Sequence, residues 1–127
     1  GDFEVFSENT ISSASVIALK QNTSGGYIWL GSTNISYKIC AYLYGGELKV
    51  AINSSNNATV ASIATTDTRI KMKRNGNDCL VYSSSNGVDW TLRHTQTGIF
   101  SGITNTFVQG IFVITQSNSM SLKLKQL

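Results

Sequence analysis

Aromatic side chains that could bind a ligand are concentrated between positions 27 and 44 of the chain. Tyr27 and Trp29 would share one face of a strand, as would Tyr42 and Tyr44, because side chains two residues apart point the same way. Flat aromatic rings stack on the C–H surfaces of sugars, and the nearby amide of Asn34 can hydrogen-bond to hydroxyl groups. We predict that these five residues, with Trp29 foremost, bind a glycan. The alternative is that the rings pack across neighbouring strands.

The acidic residues and the single histidine do not indicate catalysis. Hydrolysis of a glycosidic bond needs two convergent carboxyl groups, yet Glu4 and Glu8 would lie about 13 Å apart on one strand. His94 has no Ser and Asp arranged around it in a recognisable order. We therefore predict that the chain is not an enzyme. Two carboxylates within about 5 to 10 Å of each other across a cleft would reopen the question.

Metal ligands and reactive thiols are also weakly indicated. A structural Ca²⁺ needs six to eight oxygen ligands; Asp67, Asp78 and Asp89 lie beside Asn-rich turns, but no spacing singles them out. Cys40 and Cys79 lack the spacing of a zinc site, and a domain of this size folds without a disulfide. We predict no cofactor and two free, half-buried thiols. A structural Ca²⁺ and a disulfide are the open alternatives.

A cluster of basic residues follows position 68. Arg69, Lys71 and Lys73 would project from one face of a strand, with Arg74 at the following turn. Nucleic-acid binding would require stacking aromatic rings among these cations, and that strand has none. The net charge of +3 is also too small to indicate nucleic acid by itself. We predict a solvated face that protects a sheet edge, with contact to an acidic polysaccharide or an anionic cell surface as the alternative.

Alternation with a period of two residues is the dominant pattern, and it predicts strands with one buried and one solvated face. It is clearest in residues 69–74, where Ile70 and Met72 would face inward, and it recurs in 47–53 and in 121–125. Turn residues separate these segments every 8 to 12 positions, the spacing of a β-sandwich. Asn75 and Gly76 mark the clearest hairpin. We expect about 10 to 12 strands and no helix.

Composition favours one soluble domain. The 127 residues are 41% apolar and only 13% charged, so Ser, Thr and Asn supply most of the polarity. The length is enough for one sizeable core, and no apolar run approaches the roughly 18 residues that span a bilayer. We expect a single domain over residues 1–127, excised from a larger protein, without membrane insertion.

The stretch from position 69 to 94 resembles a known family. RIKMKRNGNDCLVYSSSNGVDWT, residues 69–91, is similar to the hairpin and Tyr-x-Ser-x-Asn-Gly-x-x-Trp signature of concanavalin A-like lectin/glucanase domains. The resemblance implies an antiparallel two-sheet sandwich of jelly-roll type, with Trp90 buried between the sheets. Residues 2–5 are similar to the early edge strand of that family, and 120–127 to the closing strand beside it. Glycan-binding residues in such domains lie on variable loops and the concave sheet, so none is assigned by the motif.

These features together predict a non-catalytic carbohydrate-binding, lectin-like adhesion module. Such domains occur in secreted bacterial proteins and in phage tail proteins, so we expect an extracellular or virion-surface location. The expected partner is a glycan or cell-surface polysaccharide, not nucleic acid. The alternative is a structural or oligomerisation domain, such as the head or tip of a phage fibre, without its own ligand. In a homo-oligomer of that kind the same aromatic rings would be buried between protomers.

Overall fold

The regular structure of the described residues consists of β-strands, without a helix. The computed structural model describes residues 2–11, 16–21, 38–52, 59–102, 111–115 and 122–127. Ten strands lie in these ranges, at the lower end of the expected number: β1 (Phe3–Ser7), β2 (Val16–Gln21), β3 (Ile39–Tyr44), β4 (Glu47–Ile52), β5 (Thr59–Ala64), β6 (Arg69–Asn75), β7 (Asp78–Ser84), β8 (Thr91–Gln96), β9 (Ile111–Thr115) and β10 (Leu122–Gln126). None of the described residues belongs to a helix long and apolar enough to cross a membrane.

The strands form two sheets of five, in which every pairing is antiparallel. Sheet A has the order β10-β1-β6-β7-β8, and sheet B has the order β5-β4-β3-β2-β9. The prediction of an all-β antiparallel fold with two sheets is confirmed.

The core lies between the sheets and is built from the alternating apolar residues of both. In β6, Ile70 and Met72 are fully buried, as predicted, and in β4 Leu48 and Val50 are equally buried. These side chains belong to one cluster with Phe3 and Val5 of β1 and Ile39 and Ala41 of β3. The period of two thus determines which face of each strand turns inward.

The first and last strands lie side by side. Phe3 of β1 is paired with Gln126 of β10, and the amide of Leu127 donates to the carbonyl of Asp2 at 3.0 Å. The closing strand therefore returns beside β1, as the resemblance implies. The expectation that β1 is an edge strand is wrong, because β10 lies on one side of it and β6 on the other.

The predicted hairpin joins β6 and β7, displaced by one residue from the Asn-Gly pair. Asn75 and Asp78 are the last paired residues, so Gly76 and Asn77 form the two-residue turn. Gly76 has a φ of 63°, the positive value that two-residue turns of type I′ and II′ demand at their first central position. Asp2 also stabilises this turn, since its carboxylate accepts a hydrogen bond from the amide of Gly76 at 3.0 Å.

Two details of the predicted alternation are wrong. The alternation in residues 121–125 predicts that Leu124 of β10 is buried, but it is 39% exposed, because β10 is an edge strand with a neighbour on one side only. Arg74 was expected at the turn, but it is paired within β6 and is only 6% exposed. It shares the inward phase of Met72; its Nε donates to the carbonyl of Gly76 at 2.9 Å, and its guanidinium lies 5.2 Å from the centroid of the Phe100 ring.

Neither cysteine is part of a disulfide, as predicted, although both are buried rather than half-buried. Cys79 belongs to the core between the sheets, and this burial raises the pKa of its thiol far above the ordinary value. Cys40 lies between Ile39 and Ala41 in sequence, so its side chain leaves β3 on the opposite face from that core. This placement separates the two sulfur atoms and explains why they do not form a bridge.

Candidate functional site

Two of the five predicted ligand-binding residues lie on β3, with their side chains turned away from the core. Tyr44 is 62% exposed, and Tyr42 is half-buried. Both share the face of the sheet opposite to Ile39 and Ala41, as the alternation predicts. The other three, Trp29, Tyr27 and Asn34, lie outside the described residues, so their role stays a prediction.

Tyr44 borders a groove of about 290 Å³ at one end of the sandwich, which we call the Tyr44 groove. The hairpin between β3 and β4 forms one wall, and the segment between β5 and β6 forms the other. Its lining residues are Ile11, Leu43, Tyr44, Gly45, Gly46, Glu47, Thr65, Thr66, Asp67 and Thr68. Tyr42 is not among them. Of the predicted ligand-binding residues that the structure describes, the groove therefore contains only Tyr44.

Asp67 is the most firmly held polar side chain of this groove. Its carboxylate accepts a hydrogen bond from Ser83 Oγ at 2.7 Å and another from Arg93 Nη2 at 3.1 Å, and the contact with Arg93 is also an ion pair. The amide of Asp67 donates to Thr65 Oγ1 at 3.1 Å. The hydrogen bond from Ser83, together with the charge and hydrogen bond of Arg93, lowers the pKa of the Asp67 carboxyl against an opposing effect of burial. Asp67 is therefore ionised at neutral pH and fixed in position.

The groove offers a stacking surface, a fixed acceptor and several hydroxyl groups. Tyr44 presents an exposed ring, and the ionised carboxylate of Asp67 only accepts hydrogen bonds. Thr65, Thr66 and Thr68 bring hydroxyl groups that donate or accept. Such a set suits a neutral molecule with many hydroxyl groups and a C–H surface.

Glu47 and Asp67 are two carboxylates of the same groove, an arrangement that the sequence did not predict. Glu47 lies 3.7 Å from Lys49 Nζ, and Asp67 is paired with Arg93. A general acid of a glycoside hydrolase needs a raised pKa, and the pKa of Asp67 is lowered. Asp67 is thus suited to accept hydrogen bonds and unsuited to donate a proton.

The three turn aspartates that are the candidate Ca²⁺ ligands have separate hydrogen-bond partners. Asp78 accepts a hydrogen bond from the amide of Gly98 at 2.9 Å, and Asp89 accepts one from Asn86 Nδ2 at 2.9 Å. Asp67 is held by Ser83 and Arg93 at the other end of β7 from Asp78. Over the described part of the chain, no three His, Cys, Asp or Glu residues are grouped so that they could hold a metal ion.

A second surface with binding chemistry covers the outer face of sheet A. Cross-strand pairing places aromatic and basic side chains on it, opposite to the core residues of β1, β6 and β7. We call it the lysine–aromatic face; its residues are Glu4, Phe6, Lys71, Lys73, Tyr82, Trp90, Lys123 and Lys125.

Trp90 lies on this face, and the prediction that it is buried between the sheets is wrong. Its ring contacts Phe6 edge to face, with centroids 6.2 Å apart and planes at 64°. Lys71 Nζ lies 5.0 Å from the Trp90 centroid and 4.7 Å from that of Tyr82, so the ammonium group contacts both rings. Lys71 also lies 3.9 Å from Glu4. Trp90 therefore covers the outside of the sheet instead of filling its core.

The turn before Trp90 explains its position. Asn86 Oδ1 accepts hydrogen bonds from the amides of Val88 and Asp89 at 2.8 and 2.9 Å, and Ser84 Oγ accepts from the amides of Asn86 and Gly87 at 3.1 and 2.9 Å. These bonds close a compact turn between β7 and β8. The chain thus reaches Trp90 outside the sheet, before β8 begins.

Replacement of Gly87 by alanine is expected to destabilise the fold by about 1–3 kcal/mol, because φ is 79° at this position. An added Cβ would also lie 3.4 Å from Cδ and Nε of Arg69, whose Nη1 donates to the carbonyl of Ser85 at 2.9 Å. Gly76→Ala is the matched control, since φ is 63° there and no atom lies within 4 Å of its added Cβ. Urea unfolding should show the larger loss for Gly87→Ala. Equal losses would contradict a role for the Arg69 contact.

The basic residues of β6 and the single histidine can also be compared with the sequence predictions. β6 lies between β1 and β7, so Arg69, Lys71 and Lys73 do not protect a sheet edge, and that prediction is wrong. Aromatic rings do surround Lys71, but they come from neighbouring strands and from Trp90, which periodicity within one strand does not reveal. The ring of His94 shares a 2.9 Å hydrogen bond with Gln96 Oε1.

No protein-family model matches the chain, and neither a curated protein nor a solved structure matches it. The resemblance to concanavalin A-like domains therefore stays a prediction from the sequence.

Proposed function

We propose that this chain is a non-catalytic carbohydrate-binding module that recognises a glycan at the Tyr44 groove. The observation that carries the proposal is the exposed ring of Tyr44 beside a carboxylate that Ser83 and Arg93 hold ionised and in place. The ring stacks on a C–H face of a sugar, and Asp67 accepts hydrogen bonds from its hydroxyl groups.

The size of the groove supports recognition of a short part of a glycan. About 290 Å³ is near the lower end of the range for small-molecule sites, roughly 300–1,000 Å³. A terminal or branching sugar fits this space better than an extended chain. We propose that the glycan makes further contacts with the other residues predicted from the sequence, Trp29, Tyr27, Tyr42 and Asn34.

The environment of Asp67 supports binding without hydrolysis. Its lowered pKa keeps it from acting as the general acid. Glu47, the other carboxylate of the groove, is ion-paired with Lys49, so two carboxylates at the groove are compatible with recognition of hydroxyl groups alone.

The wider assignment is also a proposal: a jelly-roll, concanavalin A-like module on a secreted protein or virion surface. Two pairings support it, the hairpin of β6 and β7, whose turn lies one residue beyond the predicted pair, and the return of β10 beside β1. The partner would be a glycan or a cell-surface polysaccharide, with no role for nucleic acid or membrane insertion.

A glycan array probed with the wild type and Tyr44→Ala tests the site. We expect Tyr44→Ala to weaken binding about fivefold or more, because truncating a stacking ring costs roughly 1–3 kcal/mol. Val88→Ala is the control, since Val88 is 77% exposed and lies outside the groove. Trp29→Ala on the same array tests the residue predicted first from the sequence. Wild-type hits that Tyr44→Ala leaves unchanged would overturn this site.

A second candidate function, a structural or oligomerisation domain, is favoured by the edge of sheet B. β5 reads TVASIA, without charge or proline, and Val60 is 41% exposed. Uncharged edge strands pair readily with another chain. Light scattering on the purified chain distinguishes the two: a stable oligomer in which Tyr44 is protected from modification would favour assembly, and a monomer with an accessible Tyr44 would favour binding.

A further inference from the structure

The lysine–aromatic face carries more positive charge than its neighbours on the sheet neutralise. It holds four lysines, Lys71, Lys73, Lys123 and Lys125, and the carboxylate of Glu4. Arg69 of β6 and Asp78 of β7 share the same outward phase, and the Asp78 carboxylate accepts a hydrogen bond from the amide of Gly98. Among the described residues only Lys71 of these four has an ion pair, at 3.9 Å from Glu4. Lys123 and Lys125 are exposed, so their charges are available to a partner.

The charges are arranged in an order that follows the register of the strands. Lys123 of β10 is opposite Phe6 of β1, Phe6 is opposite Lys71 of β6, and Lys71 is opposite Tyr82 of β7. Cation and ring thus alternate from strand to strand. Because strands are about 4.8 Å apart, successive cations on this row are separated by roughly 10 Å.

We infer that this face binds an acidic polysaccharide, whose carboxylate or sulfate groups pair with the lysines along the row. A polymer of uronic acid or sulfated sugars carries such negative groups at regular intervals along its length. This surface is distinct from the Tyr44 groove, which is lined by segments of the β3–β4 hairpin and the β5–β6 connection. The inference therefore does not rest on the proposed function.

The aromatic contacts favour a polysaccharide over single-stranded nucleic acid. Stacking of nucleobases needs open ring faces along the strand. Here the Lys71 ammonium group lies against both the Tyr82 and the Trp90 ring, and Phe6 lies edge to face with Trp90. The positive side chains at the rim, Lys123 and Lys125, provide point charges and not the paired donors with which arginine binds phosphate.

Affinity electrophoresis with polygalacturonate and its fully methyl-esterified form tests this inference, since the two polymers share a backbone and differ in charge. We expect the wild type to be retarded by the acid form alone, and less so as ionic strength rises. Lys123→Gln/Lys125→Gln should weaken retardation about tenfold. The sheet B control is Lys38→Gln/Lys49→Gln, which removes the same charge from β4 and from the residue before β3 and should change retardation less than about twofold.

The remaining outcomes decide against the inference. Equal retardation by both polymers, or none by either, would overturn it, as would an equal loss with the sheet B control. Tighter binding to poly(dT) than to polygalacturonate would assign the face to nucleic acid instead. Tyr44→Ala should leave retardation unchanged; a loss there would place the acidic polymer in the Tyr44 groove and overturn the assignment to sheet A.

Discussion

Phe100→Ala is expected to lower the free energy of unfolding by about 3–5 kcal/mol, the cost of removing a large buried ring. Phe100 is fully buried in the core cluster although it lies in the turn that follows β8. Its loss would open a cavity and also remove the ring beside the guanidinium of Arg74, which is itself only 6% exposed. A buried cation that loses such a neighbour is left with less compensation for its lost hydration.

Urea unfolding of the purified chain measures this effect. Leu92→Ala is the matched control, because Leu92 is 49% exposed on β8 and should change stability by about 0.5 kcal/mol or less. Phe100→Leu keeps most of the apolar volume and should recover a large part of the loss. A loss of about 1 kcal/mol or less for Phe100→Ala would contradict the placement of this turn in the core.

Asp67→Asn is expected to cost about 1–3 kcal/mol near neutral pH, because it removes a charged acceptor from Ser83 and Arg93. The cost should depend on pH. The folded-state pKa of Asp67 is lowered from its ordinary value of 3.8, so its stabilising contribution is present above about 3.8 and is lost as pH falls through the lower folded value. Acidification should therefore narrow the difference between wild type and Asp67→Asn.

Urea unfolding near neutral pH and at about pH 2.5 tests this linkage. Asp89→Asn is the control, since Asp89 is exposed and should change stability by about 0.5 kcal/mol or less. Ser83→Ala gives an independent arm: Ser83 makes the largest contribution to the lowered pKa, so an NMR titration should show the pKa of Asp67 rising towards its ordinary value. A difference between wild type and Asp67→Asn that stays constant with pH would contradict this account.

Local periodicity was sufficient to predict the class of fold and much of the core. Ile70, Met72, Leu48 and Val50 are buried because alternate residues of a strand share a face, and a single sequence contains that information. Phe100 could not be predicted in the same way, because it lies in a turn that has no period. Strand order was equally hidden: β7 is the local hairpin partner of β6, but the position of β6 in the middle of its sheet depends on its pairing with β1, which is distant in sequence.

The candidate site was predictable in part for the same reason. The exposure of Tyr44 follows from its phase in β3. The role of Asp67 could not be predicted from the sequence. Turns commonly contain Asp, and its partners Ser83 and Arg93 lie on β7 and β8. Trp90 was misplaced because its motif was interpreted by resemblance, whereas the hydrogen bonds of Asn86 direct the chain outside sheet A. The sequence did contain a signal for this turn, since Asn86 stands between Ser85 and Gly87.

The pairing of β1 with β10 determines how the domain would respond to mechanical load. Asp2 and Leu127 are joined by a 3.0 Å hydrogen bond, so a force that pulls these positions apart acts across the ladder and not along it. In that geometry the hydrogen bonds between β1 and β10 break one after another, starting at this end, instead of sharing the load. Tension applied through both ends would thus peel β10 away first, and the remaining four strands of sheet A would keep their pairings.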